Sequence, residues 1–125
     1  MATKVTNKVI KNIFNWCLTE YGVSKYQGFE PELIIDNTKD HPSNGEFVFE
    51  DNEVFIYPKT EGMDIQRTIF VMIHEFKHYH QSPVWLSRYI NMYNNAPNCP
   101  YEIEADAVAE ADWEKCYRKL FLEKA

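Results

Sequence analysis

The chain has 125 residues, 45% of them hydrophobic and 26% charged, with 13 Lys and Arg against 19 Asp and Glu for a net charge of −6. That length predicts one domain over 1–125 with a core that needs no disulfide staples, and the composition excludes a disordered tail, a collagen-like chain and a knottin-like scaffold. The negative charge argues against direct nucleic-acid binding, which needs a positive field, and no Lys/Arg run supplies a local one.

Residues 4–21 place Val5, Val9, Ile10, Ile13, Phe14, Cys17 and Leu18 at the three-and-four spacing of an amphipathic helix, ended near Gly22. Lys and Asn interrupt this segment, so it has no apolar h-region, and no stretch reaches the ~18 apolar residues of a membrane span. The expectation is a cytoplasmic protein with no membrane partner. Cys17, Cys99 and Cys116 are odd in number, widely spaced and form no C-x-x-C pair, so ordinary thiols are expected.

Residues 32–36 are a short β-type run, and 37–45 read as loop. GEFVFED and NEVFIYP then alternate around Asp51-Asn52, which predicts a hairpin with a two-residue turn. Phe47 and Phe49 share a face of one strand, and Val54 and Ile56 share a face of the other. A helix over about 63–81 follows, with Asp64 as its cap, then a short helix over 83–93 and a loop over 94–100. The last helix runs from about 101 to 121, with Ala105, Ala109, Trp113, Cys116 and Leu120 as its apolar stripe. One helix, three strands and three helices make an α+β domain.

Residues 74–78 read HEFKH, an H-E-x-x-H motif. Two His at i and i+4 lie about 40° apart on a helix, so both imidazoles can converge on one zinc ion. Glu75 stays near that face and can take a proton from a metal-activated water. Helical phase places Ile65, Ile69, Met72 and Phe76 on the opposite, core side. Phe70 and Val71 precede the motif on the front face, so the helix should run beneath other structure and emerge at His74, on the floor of a cleft. His80 falls almost opposite the metal face, and His41 sits in a loop. Neither is expected to be a ligand.

A catalytic zinc usually has three protein ligands and one open position. Glu102 and Asp106, four apart at the start of the last helix, share a face. Glu102 is the candidate third ligand, and Asp106 the candidate acceptor for the spare ring N–H of a ligand His. Glu104 lies about 200° from Glu102 and is the weaker alternative. The plain alternative is an acidic helix start favoured by the helix dipole. Glu110 and Asp112 are expected to be solvated.

H-E-x-x-H followed by Glu102-x-x-Ala105-Asp106 resembles the gluzincin class of zinc metallopeptidases. More narrowly, it is similar to the small ImmA/IrrE-type metallopeptidases of bacteria and their mobile elements. The resemblance covers roughly residues 45–112. It implies a zincin-like fold: N-terminal helix, small three-stranded, mostly antiparallel sheet, H-E-x-x-H helix and C-terminal ligand helix. It further implies one zinc ion per chain on His74, His78 and Glu102, with Glu75 as general base. A peptide substrate would lie along an edge strand of the hairpin. Tyr89, Tyr93 and Tyr101 are the candidates for oxyanion or substrate contacts. The family commonly has Gly where this chain has Lys77. The activity implied is cleavage of a protein substrate, in the narrowest reading a regulatory protein. The alternative is a non-catalytic zincin-fold binding protein or inhibitor, encoded on a mobile element, that acts by occupying a protein partner. Retention of Glu75 favours the enzyme, because a purely structural metal site does not need it.

Overall fold

A computed structural model describes residues 4–39, 41–93 and 99–122, and the side chains of 89–93 lie outside the described part. Helix α1 spans Asn7–Tyr21. Its start is set by Thr6, whose hydroxyl accepts from the Val9 amide at 3.2 Å, and its end by Gly22 at φ 76°. Three strands follow: β1 (Glu32–Ile35), β2 (Gly45–Val48) and β3 (Glu53–Ile56). Helices α2 (Ile65–His80), α3 (Pro83–Tyr93) and α4 (Pro100–Tyr117) complete the α+β architecture, and a π-helical turn, Arg118–Leu122, extends α4. Asp64 caps α2 as expected, accepting from the Arg67 amide at 2.7 Å.

The sheet order is β1-β3-β2. β3 pairs antiparallel with β2 but parallel with β1, so the sheet is mixed rather than mostly antiparallel. The reversal follows from the central place of β3: β1 and β2 run in opposite directions and β3 inserts between them. The tight two-residue turn is also corrected. Val48 pairs with Glu53, which leaves residues 49–52 as a four-residue connection and Phe49 outside the strand. Asn52 explains the difference. It adopts φ 53°, its amide donates to the carbonyls of Phe29 and Glu30, and its carbonyl accepts from the Glu32 amide. It braces the approach to β1 while it ends the four-residue connection of the β2–β3 hairpin.

The core lies between the sheet, α1, α2 and α4. Ile10, Ile13 and Cys17 of α1 meet Val54 and Ile56 of β3, Ile69, Met72, Ile73 and Phe76 of α2, and Ala109 and Cys116 of α4, all fully buried. Each large apolar side chain taken from water in this way contributes about 1.5–3 kcal/mol. All three cysteines are free and buried. Tyr79 secures the segment between α1 and β1 to the core. Its hydroxyl donates to the Phe29 carbonyl at 2.6 Å and accepts from the Ser24 amide at 2.9 Å.

Close approach of β2 to α2 sets the entrance of the cleft. A Cβ on Gly45 would stand 2.7 Å from Val71 Cγ1 and 2.9 Å from the Phe55 carbonyl oxygen. Only glycine lets the strand cross α2 here, one turn before His74. Val71 is buried beneath that crossing, and His74 is the next residue of that face to emerge.

Candidate metal centre

α2 and α4 pack side by side and bring His74, His78 and Glu102 together, with one potential ligand atom from each within 4.8 Å of the others. His78 Nε2 lies 2.6 Å from Glu102 Oε1 and 3.1 Å from His74 Nε2, and His74 Nε2 lies 3.5 Å from Glu102 Oε2. The opposite ring nitrogens are occupied. His74 Nδ1–H donates to Asp106 Oδ1 at 2.7 Å, and His78 Nδ1–H donates to Gln81 Oε1 at 2.6 Å. With each proton held on Nδ1, both Nε2 lone pairs face inward beside a carboxylate. Three electron-pair donors at such separations need a cation between them. A proton on one imidazole satisfies that need at these distances, and two imidazole nitrogens with a carboxylate are also a donor set that could hold a metal ion.

The electrostatics agree. Burial alone would lower the pKa of His74, but Glu102, Glu75 and Asp106 outweigh it and raise it to about 9. Burial would raise Glu102, but His74 and His78 bring it down to about 2. Glu75 is 8% exposed and sits 3.9 Å from His74 Nε2 through its Oε2. Burial pushes its carboxyl upward, against the pull of the two imidazoles.

Gln81 was not singled out from the sequence. It is 4% exposed, accepts from His78, and donates through Nε2 to the Tyr101 carbonyl at 3.0 Å and to Glu104 Oε1 at 3.1 Å. The signal was its place three residues after His78, where a side chain at the end of α2 can reach back to the ring. Glu104 also pairs with Lys77 at 3.5 Å and is directed away from the metal group. Asp112 is not solvated as expected: it accepts from the Tyr21 hydroxyl at 2.6 Å and ties α4 to α1. Glu110 is exposed on the cleft wall.

The structure places the remaining candidates elsewhere. His80 Nδ1–H donates to the Phe76 carbonyl at 3.1 Å, and its ring packs on Tyr21 and Phe76 behind the helix. His41 stacks on Tyr57 with ring centroids 3.6 Å apart. Tyr101 is 3% exposed and packs edge-on against His78. Burial and the neighbouring Cys99 push its hydroxyl up to about 12, so it stays protonated at neutral pH. Tyr89 and Tyr93 fall in α3, but their side chains lie outside the described residues.

Comparisons with protein-family models, with curated proteins and with solved structures gave no match. The chemistry of the site therefore rests on the geometry above. No described helix is long and apolar enough to cross a membrane.

Proposed function

We propose that this protein is a zincin-like, zinc-dependent metallopeptidase that hydrolyses a peptide bond in a protein substrate. The observation that carries the reading is the pairing of a candidate metal group, His74, His78 and Glu102, with a buried carboxylate on the same cleft floor, Glu75, which has no hydrogen-bond partner among the described residues. His74, His78 and Glu102 would hold one zinc ion, with Asp106 and Gln81 orienting the two imidazoles. The chemistry such an ion supplies is Lewis acidity, which brings the pKa of a bound water to about 7. Glu75 accepts the proton of the attacking water and passes it to the leaving amine nitrogen. In the metal-free protein burial raises its proton affinity above that of an exposed carboxylate. β2, an edge strand of the sheet among the described residues, borders the cleft and offers backbone groups for an extended peptide. A binding protein without catalysis would leave Glu75 without a purpose.

Metal analysis after dialysis tests the site. Wild type should retain about one zinc equivalent, as expected for a single group of three protein ligands, and His74→Ala and Glu102→Ala should lose it. Zinc that survives both changes would sink the site. Glu75→Gln should keep the metal and abolish cleavage, and persistent turnover in that variant would reject Glu75 as the base.

A further inference from the structure

Two cavities meet at the metal group and share Ser43, Gly45, His74, Glu75 and Glu102. They differ in charge. The larger, about 850 Å³, carries Asp106 and Glu110 beyond the shared carboxylates, but also Arg67 and the apolar Phe70 and Ile103. The Arg67 guanidinium is held by Asn44 Oδ1 at 3.3 Å and lies 5.5 Å from the centre of the Phe70 ring. The smaller, about 460 Å³, lies between β2 with its following turn and the pair Leu86 and Tyr101. Its described lining residues include Glu46 and Glu50 beyond the shared Glu75 and Glu102, and no Lys or Arg.

A dication at the centre would offset Glu75 and Glu102, but not Glu46 and Glu50, which both remain exposed. Glu46 is held in place because its Oε1 accepts from the Tyr57 hydroxyl at 2.6 Å. Val48, Phe49, Leu86 and Tyr101 line the same cavity as these two carboxylates and give it apolar walls. A cavity that combines greasy walls with carboxylates matches a long aliphatic stem that carries a cation.

We propose that the smaller cavity is a specificity pocket for a lysine or arginine side chain adjoining the bond that is cut. The proposal rests on the metallopeptidase reading and adds its substrate class: a basic segment of a protein, met by an acidic enzyme. Glu46 and Glu50 act on binding and selection, not on the chemistry.

The test uses zinc-loaded full-length protein and three fluorescent dipeptide hydroxamates, which chelate zinc and are not cleaved. Their variable side chains are lysine, norleucine and glutamate. Norleucine keeps the stem and lacks the cation. Lysine should bind about five- to tenfold more tightly than norleucine, the size of one or two partly screened ion pairs, and glutamate more weakly than either. The lysine preference should shrink in about 1 M salt, where screening acts over roughly 3 Å. It should fall to near unity in a Glu46→Gln, Glu50→Gln double variant. Preference is read as a ratio within each protein, so a general loss of fold cancels. Equal affinity for lysine and norleucine overturns the pocket and leaves the metal reading intact, as does a preference that survives the double variant. Absence of zinc-dependent binding by all three removes the metallopeptidase reading, and the pocket with it.

Discussion

His74 and His78 stand one turn apart on the same face of α2, yet the protein holds them by different means. His74 is oriented by Asp106, whose side chain is 58% exposed at the cleft surface. His78 is oriented by Gln81, which is 4% exposed and also bonds to the backbone and Glu104 of α4. One imidazole is thus positioned by a solvated carboxylate and the other by a buried neutral amide. The difference separates two tasks. The inner arrangement joins α2 to the start of α4, so it sets the spacing between the His pair and Glu102. The outer arrangement fixes one ring and adds negative charge.

If that division is right, the largest effect should come from the buried side. Gln81→Leu removes the acceptor of the His78 Nδ1–H and the bond that ties the end of α2 to the Tyr101 carbonyl. Zinc affinity, measured by competition with a chromophoric chelator, should fall about 100-fold, the upper end for such orienting groups. Gln81→Glu should not restore it, because a carboxylate can accept from His78 but cannot donate to Tyr101, and it meets Glu104 as a like charge. Full restoration by Glu would mean that Gln81 only orients a ring and does not join the helices. Asp106→Ala should cost less, about tenfold, because water can replace an exposed acceptor. An equal or larger loss there would erase the distinction between the two histidines.

A third change probes the scaffold instead of the ligands. Gly45→Ala forces a methyl group against Val71 and the Phe55 carbonyl, and that carbonyl belongs to the central strand and has little room to yield. Chemical denaturation should show a loss of about 1–3 kcal/mol, as for overpacking elsewhere. Unchanged stability would mean that β2 is not pinned onto α2 where it enters the cleft.

The same contrast explains what was legible in the sequence. The motif helix was readable because its period of 3.6 separates Ile69, Met72 and Phe76 from His74 and His78 without any tertiary information. Glu102 and Asp106 were readable because a four-residue spacing places both on one helix face, whatever that face meets. Gln81 was not, since an amide just past a helix end carries no periodic signal and its role exists only once α4 arrives. The mixed sheet was hidden for a related reason. Alternation marks Val54 and Ile56 as inward, but it says nothing of which strand lies between which. Asn52 was legible as a turn residue, but its bonds to Phe29, Glu30 and Glu32 span about twenty residues of chain and depend on β1 being in place. Local pattern thus gave the candidate ligands, and long-range contact decided what supports them.

The smallest expected effect concerns pH, and its sign separates proton from metal. In metal-free protein His74 is raised from 6.5 to about 9, so its contribution to stability is complete below pH 6.5 and is lost as pH rises through 9. Glu102 is lowered from 4.5 to about 2, so its contribution is present above pH 4.5 and lost as pH falls through 2. Both operate between those limits, and the chelated protein should lose thermal stability as pH rises from 6.5 to 9. Zinc-loaded protein should do the reverse. A metal ion takes the place of the His74 proton, so binding releases that proton and strengthens as pH rises over the same window. Melting curves of the chelated protein and of zinc-loaded protein held at fixed free zinc should therefore slope in opposite directions between pH 6.5 and 9. In Asp106→Ala the metal-free slope should flatten only partly, because Glu102 and Glu75 still hold the proton on His74. Parallel slopes in the two forms of the wild type would mean that the metal does not compete for this nitrogen, and His74 would lose its place among the ligands.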